Sequence, residues 1–218
     1  MDKTHYLDNQ LYERLSNHFR LSVETSEASL SAALRVWQWE SLCRTLERAF
    51  TQSLHYTKER KWSVIQEQLE AVAARADLTG MSLPAGVQKR LIESGEEAQI
   101  HMAIREALAL LPQTMPEALA SAPESFLTVG HNDVSGVISI PTSGSTGPSK
   151  RIFCTENDLE QTAAFFQHGM QYMVHPDRGD HVALLMSGDR PGSVGDLLAR
   201  GMRKLGVLSS VLGFVPPG

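Results

Sequence analysis

The chain has 218 residues, of which 42% are hydrophobic, and its formal net charge is -5. This composition is typical of a globular chain with a sizeable core, of one ordinary domain or of one and a half small ones, and it excludes a disordered chain. The 20 lysines and arginines are scattered. Because no basic stripe forms, nucleic acid and membrane surfaces are not expected partners.

The two cysteines, Cys43 and Cys154, lie far apart and form no CxxC pair, which fits a reducing compartment better than a disulfide framework. The N-terminal sequence, residues 1–19, is polar and lacks the apolar stretch of a secretory signal. No apolar run further along is long enough to cross a bilayer. We therefore expect a cytoplasmic protein.

Residues 1–120 predict a helical N-terminal region. Three long helices are expected within the segments 34–60, 62–81 and 86–112, where apolar residues recur at spacings of three and four. A shorter helix is expected to begin at Pro116, with Thr114 as its cap. In the first segment, one apolar face is formed by Trp39, Leu42, Leu46, Ala49 and Phe50.

Residues 121–218 predict an α/β region that is continuous with the helical one. Two helices are expected, at 156–174 and 193–206, and they alternate with short apolar, β-branched segments. This alternation favours right-handed βαβ units on a parallel sheet, in which ligands bind at the carboxyl ends of the strands. The expected strands lie within 125–130, 134–141, 151–155, 181–187 and 207–215.

The sequence TSGSTGPSK at 142–150 follows one of these expected strands. Glycine lets a backbone approach an anion closely, short hydroxyls donate hydrogen bonds, and lysine adds a mobile cation. These residue types suit a nucleotide polyphosphate, although composition alone favours an ordinary connecting loop. The candidate phosphate-binding residues are Thr142, Ser143, Gly144, Ser145, Thr146, Gly147 and Lys150.

The order of these residues excludes two common nucleotide motifs. The P-loop requires a Gly-Lys-Ser/Thr triplet, whereas Pro148 follows Gly147 and Arg151 follows Lys150. The dinucleotide pattern GxGxxG is also absent from this segment.

The segment instead resembles the phosphate-binding signature of the adenylate-forming (AMP-binding) superfamily, Thr-Ser-Gly-Ser/Thr-Thr-Gly followed by a tail with proline and lysine. Residues 114–119 and 155–159 resemble flanking elements of the phenylacetate-CoA ligase and coenzyme F420-adenylylating branches, and helix-forming residues 42–56 resemble their N-terminal helix. The resemblance covers most of the chain beyond residue 35. It implies the N-terminal part of an adenylate-forming domain, incomplete here.

This resemblance implies an ATP- and Mg²⁺-dependent ligase that activates a small-molecule carboxylate as an acyl adenylate and passes the acyl group to coenzyme A. Lys150 and Thr146 would be the catalytic residues, within the phosphate-binding set 142–147 and 150. Two alternatives stay open. One is AMP transfer to a hydroxyl acceptor, and the other is a non-catalytic module that binds a nucleotide or a partner.

The chain departs from the family pattern in two places. Arg151 replaces the glycine that usually follows the lysine, so that either the loop is less mobile or Arg151 adds a second phosphate contact. The family's adenine-, ribose- and lid-forming segments have no counterpart before Gly218. The resemblance thus implies a piece of a longer enzyme or a specialised member, with a further segment or a separate chain completing the site.

Two other polar stretches favour structural interpretations. The sequence HPDRGDH at 175–181 has no compact ligand spacing, so it is expected to be a loop, and no metal site is predicted. The sequence SGDRPGSVGDLL at 187–198 follows an apolar strand. It is expected to be a strand-to-helix turn with Ser193 as the cap and Asp196 in the first turn, although its position leaves a substrate site open.

Overall fold

A computed structural model describes residues 9–22, 24–128, 136–141 and 150–213. The chain divides into two compact units, Met1–Thr114 and Met115–Gly218. The described part of the first unit is helical, and that of the second combines helices with short strands. The expected mixed α/β class is therefore confirmed.

The helical unit packs around one long helix. Trp39, Leu46 and Phe50 are buried on a single face of this helix, with Leu42 and Ala49 packed against the same core, as their spacing predicts. The described helices of the unit are α1 (Asn9–Phe19), α2 (Glu27–Gln52), α3 (Leu54–Glu59), α4 (Trp62–Arg75), α5 (Ala85–Ser94) and α6 (Ala98–Ala109).

The expected single helix over 86–112 is wrong, because the chain breaks it into α5 and α6 at Gly95. Gly95 adopts the left-handed conformation, with φ of 68°, which favours glycine at a helix end. A Cβ at this position would lie 2.9 Å from the Cβ of Ala28 in α2. The glycine thus ends α5 and allows the turn to approach α2 closely.

The second unit contains four described strands and three described helices. The sequence predicted all seven of these elements, but the strand expected over 125–130 is wrong for its described part, because residues 123–126 form a short 3-10 helix. Residues 129–130 lie outside the described ranges. The elements are α7 (Pro116–Ser121), β1 (Val137–Pro141), β2 (Arg151–Thr155), α8 (Glu156–Met170), β3 (His181–Leu184), α9 (Val194–Lys204) and β4 (Leu208–Val211).

The described strands form two separate pairs. Strands β1 and β2 are antiparallel, with Val137 opposite Thr155 and Pro141 opposite Arg151. Strands β3 and β4 are parallel, and α9 connects them. The expected series of parallel βαβ units on one sheet is therefore not confirmed, because β1 and β2 are antiparallel and the parallel pair of β3 and β4 forms a separate sheet.

Two helix starts differ in how they are capped. Helix α7 begins at Pro116 as expected, but its cap position is Met115, and the hydroxyl of Thr114 instead lies 2.8 Å from that of Tyr56. Helix α8 begins with a capping box, in which Thr155 and Asp158 bond each other's backbone N–H groups. This box fixes the direction in which the chain leaves β2.

Helices α8 and α9 pack closely at Gly201. A Cβ on Gly201 would lie 3.0 Å from the backbone nitrogen of Gln167 and 3.1 Å from the carbonyl oxygen of Ala163. The absence of a side chain therefore sets the short separation between these helices. Across the described residues, no helix combines the length and the apolar character needed to span a bilayer.

Candidate functional site

The predicted phosphate-binding segment is anchored on the β1–β2 pair. Residues 142–149, which include Thr142, Ser143, Gly144, Ser145, Thr146 and Gly147, lie outside the described residues. Lys150 is described, half-buried, and immediately precedes β2. Because Pro141 and Arg151 are paired across the strands, both ends of the segment are held at one end of the hairpin.

Arg151 bonds across the hairpin at this end. One guanidinium nitrogen donates to the hydroxyl of Ser139 at 2.6 Å, and the rest of the side chain is exposed. Paired residues of antiparallel strands point to the same face, so Arg151 and Ser139 share the face of Pro141. Arg151 is therefore held beside β1, next to the point where the candidate segment begins.

A cavity of about 610 Å³ lies where this end of β1 meets the segment that follows β3. The wall that follows β3 lies at the carboxyl end of a parallel strand, the part of an α/β fold at which ligands commonly bind, and the other wall is the end of the antiparallel strand β1. The β1 wall consists of Ser139, Ile140 and Pro141, and the other wall carries both apolar and polar residues. The lining residues are 139–141, 185–187 and 189–194.

Glycines let the segment after β3 fold tightly over the cavity. Gly192 has a φ of 79°, and a Cβ there would lie 2.6 Å from Cδ1 of Ile140. A Cβ on Gly195 would lie 2.6 Å from the carbonyl oxygen of Ser187. This stretch thus forms the strand-to-helix turn that the sequence predicts. Its glycines allow the backbone to pack closely, and the turn also lines the cavity.

The cap of α9 differs from the expected one. Ser193 occupies the cap position, but its hydroxyl caps no backbone N–H and has no hydrogen-bond partner in the part of the chain that the structure describes, although the oxygen is buried. Asp196 lies in the first turn as expected, and its carboxylate accepts the backbone N–H of Gly192 at 2.8 Å. The N-terminal end of α9 therefore presents an uncommitted hydroxyl beside the cavity.

Charged side chains stand at the cavity rim. The hydroxyl of Ser187 donates to Asp189, and this bond lowers the pKa of the Asp189 carboxyl below its usual value. Arg190 Nε lies 3.9 Å from the other carboxylate oxygen of Asp189. The rim thus combines one anionic and one cationic group with an apolar interior, which suits a ligand that has an apolar body and a polar end.

The histidine-rich stretch forms a short turn. Residues Pro176–Arg178 form a 3-10 helix, and Asp180 accepts the backbone N–H of His175 at 2.7 Å. Across residues 9–22, 24–128, 136–141 and 150–213, no three histidine, cysteine or acidic side chains form a group suited to a metal ion. Asp180 therefore has a local structural role in the loop that the sequence predicts.

A second cavity, of about 730 Å³, lies in the helical unit between the end of α1, the start of α2 and α5. Its lining includes His18, Arg20, Glu93 and Lys89. None of the predicted site residues belongs to this unit. The cavity of the second unit, by contrast, includes Pro141, which immediately precedes the candidate segment.

For residues 187–198, which include much of the cavity wall at 185–194, sequence reasoning favoured a turn and left a substrate site open. The available signal was the position of these residues at the carboxyl end of an apolar strand, but the same residues are also typical of an ordinary turn.

Comparisons with protein-family models, with curated proteins and with solved structures found no match.

Proposed function

We propose that this chain binds the phosphates of ATP on the segment 142–150 and activates a carboxylic acid as an acyl adenylate. The single observation that carries the proposal is the ordered sequence TSGSTGPSK, placed between β1 and β2. It is flanked by the paired residues Pro141 and Arg151, and Pro141 lines the cavity at the end of β1. The neighbouring cavity supports the proposal because it offers space for a second substrate.

The residues of the segment fit a polyphosphate. In the proposed site, the hydroxyls of Thr142, Ser143, Ser145 and Thr146 donate to phosphate oxygens, and Gly144 and Gly147 let the backbone approach them. The Lys150 ammonium group neutralises charge on the departing pyrophosphate. Mg²⁺, which binds phosphate oxygens readily, supplies further charge neutralisation when it accompanies ATP.

In the proposed reaction, a carboxylate oxygen attacks the α-phosphorus of ATP. A new C(O)–O–P bond forms, the bond between the α-phosphorus and its bridging oxygen breaks, and pyrophosphate leaves with the electron pair. The roles assigned to Lys150 and Thr146 are to hold and stabilise this leaving group. The acyl group then passes to a thiol, for which we propose coenzyme A, and AMP is released.

The cavity beside the segment is proposed to hold the carboxylic acid. The apolar residues Ile140, Leu185 and Val194 suit an apolar acyl body. The N-terminal end of α9, with the Ser193 hydroxyl, suits the carboxylate of the acid. We also propose that the protein is cytoplasmic and that a further segment or a separate chain completes the adenine site.

Pyrophosphate release tests this function. The folded protein is incubated with ATP, Mg²⁺ and a panel of aliphatic and aromatic carboxylic acids, with Lys150→Ala as the comparison. We expect acid-dependent release of pyrophosphate and AMP that the substitution strongly reduces. Absence of release from the folded wild-type protein with every acid would contradict the ligase proposal.

The acceptor is tested separately by adding coenzyme A. Release of AMP that rises with coenzyme A supports thiol transfer. Transfer of AMP to a hydroxyl compound without coenzyme A would instead support the nucleotidyl-transfer alternative.

A further inference from the structure

We propose that Asp196 is a positioning residue that holds the Gly192 turn against the cavity, and that Arg200 and Glu156 fix Asp196 in place. The part that concerns acid binding rests on the proposed function. Asp196 does not line the cavity, whereas Gly192 does. Asp196 therefore acts on the cavity through the turn.

The carboxylate of Asp196 has two partners. One of its oxygens accepts the backbone N–H of Gly192 at 2.8 Å and lies 3.3 Å from Nε of Arg200. The carboxylate is thus shared between the turn and a cation one helical turn further along α9. Because only a quarter of the Asp196 side chain is exposed, at 25%, competition from water is reduced.

Arg200 connects this carboxylate to α8. Its terminal nitrogen donates to Glu156 at 2.6 Å and lies 3.6 Å from Glu160, while its side chain is only 20% exposed. The hydrogen bond to Glu156 and the charge of Asp196 raise the pKa of Arg200 above its usual value. The guanidinium therefore stays charged and ties the start of α9 to the start of α8.

Glu156 is the first residue of α8 and directly follows Thr155, the last residue of β2. Strand β2 in turn begins at the end of the candidate phosphate segment. The contacts from Gly192 through Asp196 and Arg200 to Glu156 therefore join the cavity wall to the hairpin that carries this segment. A fixed distance between these two parts is what a reaction between two bound substrates requires.

The position of the turn matters because Gly192 packs directly on β1. The space for a Cβ on Gly192 is occupied by Ile140 and by Leu159 of α8. A turn that is no longer held by Asp196 would change the shape of the cavity where the two walls meet. This predicts weaker binding of the acid with little effect on ATP.

Two substitutions and a matched control separate positioning from general stability. Asp196→Ala removes the acceptor for Gly192, whereas Asp196→Asn keeps an amide oxygen that can accept the same N–H. The control is Lys204→Met, which breaks another ion pair between α9 and α8, from Lys204 Nζ to Glu160 at 2.8 Å. Lys204 does not line the cavity.

The first measurement is hydrogen–deuterium exchange of residues 187–196 in the ligand-free protein. We expect Asp196→Ala to speed exchange in this segment by about tenfold or more, because a hydrogen bond to a charged group is lost. Lys204→Met is expected to remain near wild type, whereas Asp196→Asn, which keeps an acceptor for Gly192 but loses the charge that pairs with Arg200, is expected to lie between wild type and Asp196→Ala. Unchanged exchange in Asp196→Ala would overturn the positioning role whether or not the protein is a ligase.

The second measurement is steady-state pyrophosphate release with phenylacetate or the best acid of the panel. We expect Asp196→Ala to raise KM for the acid about tenfold, with kcat and KM for ATP within about twofold of wild type. Asp196→Asn should restore part of the affinity. An unchanged KM for the acid in an active Asp196→Ala protein would overturn the link to acid binding. An inactive wild type would contradict the ligase function, while the exchange result would still decide the role of Asp196.

Discussion

The backbone N–H of Gly195 donates to the carbonyl oxygen of Ser187 at 2.9 Å, and a Cβ on Gly195 would lie 2.6 Å from that same oxygen. This contact therefore links the start of α9 to the chain just after β3. Because the neighbouring atom belongs to the backbone, no side-chain rotation relieves the clash that a larger residue would create.

Gly195→Ala is accordingly expected to lower the free energy of unfolding by about 3 kcal/mol. Gly169→Ala is the matched control, because Gly169 lies within α8 and has nothing within 4 Å of an added Cβ. This control is expected to be neutral or to stabilise by up to about 1 kcal/mol. Urea unfolding of both variants measures the difference, and equal stability of Gly195→Ala and wild type would refute the contact.

Gly192→Ala tests the packing of the cavity wall. Gly192 and Gly179 have similar positive φ values, 79° and 73°, but an added Cβ meets Ile140 and Leu159 only at Gly192. We expect Gly179→Ala to cost about 1 kcal/mol from backbone conformation alone, and Gly192→Ala to cost about 1 to 3 kcal/mol more. Equal losses in thermal or urea unfolding would mean that the turn does not pack on β1.

The Glu97 carboxyl predicts a specific response to acid. A hydrogen bond from the Ser31 hydroxyl, with a contribution from Arg35, lowers the pKa of Glu97 below its usual value of 4.5. Because the folded-state pKa is the lower one, this stabilisation is fully present above about pH 4.5 and is lost as pH falls through the lowered value. The side chain is 40% exposed, so the expected effect is under about 1 kcal/mol.

Unfolding free energies measured from pH 6 to pH 3 check this prediction. Glu97→Gln and Ser31→Ala should each make the acid-induced loss of stability shallower than in wild type. If both variants lost stability with falling pH as steeply as the wild type, the bond between Ser31 and Glu97 would not contribute to the pH dependence of folding.

The two cysteines should differ in reactivity. Burial, followed by the nearby Glu70 and Glu40 carboxylates, raises the pKa of Cys43 to about 12. Burial also raises the pKa of Cys154, but this residue is partly exposed. Since the thiolate is the reactive form, Cys43 should react with iodoacetamide at pH 8 at least about a hundredfold more slowly than Cys154.

Mass spectrometry of the labelled native protein identifies the modified residue, with Cys154→Ser as the control. We expect this variant to stay unlabelled until urea unfolds it. Rapid labelling of native Cys154→Ser would contradict the burial of Cys43 on the core face of α2.

The helical unit could largely be predicted because its apolar spacing is a local signal. Trp39, Leu46 and Phe50 recur with the helical period and occupy one buried face. The break at Gly95 was missed because apolar residues continue on both sides of it. The local signal for the break was Gly95 itself, because glycine is favoured in the left-handed conformation at a helix end, and the close approach to Ala28 is a contact that is distant in sequence.

The strand segments were also identified locally, but their pairing was not. The sequence of β1, VISIP, is compatible with either direction of its neighbour, and the direction depends on the path of the segment that joins it to Arg151. Likewise, Ser193 has the residue type of a cap, yet its hydroxyl makes no capping bond. The contacts of Asp196 and Arg200 depend on the packing of α8 against α9, which no local pattern encodes.

Binding of Mg²⁺-ATP, measured by isothermal titration calorimetry, tests the central claim most directly. Thr146→Ala and Lys150→Ala are compared with wild type, and Ser149→Ala, in the same segment but outside the proposed phosphate-binding set, serves as the control. We expect the first two substitutions each to weaken ATP binding by about tenfold or more, with Ser149→Ala near wild type. Unchanged ATP affinity in Thr146→Ala and Lys150→Ala, or no ATP binding by the folded wild-type protein, would contradict the assignment of 142–150 as a phosphate-binding segment.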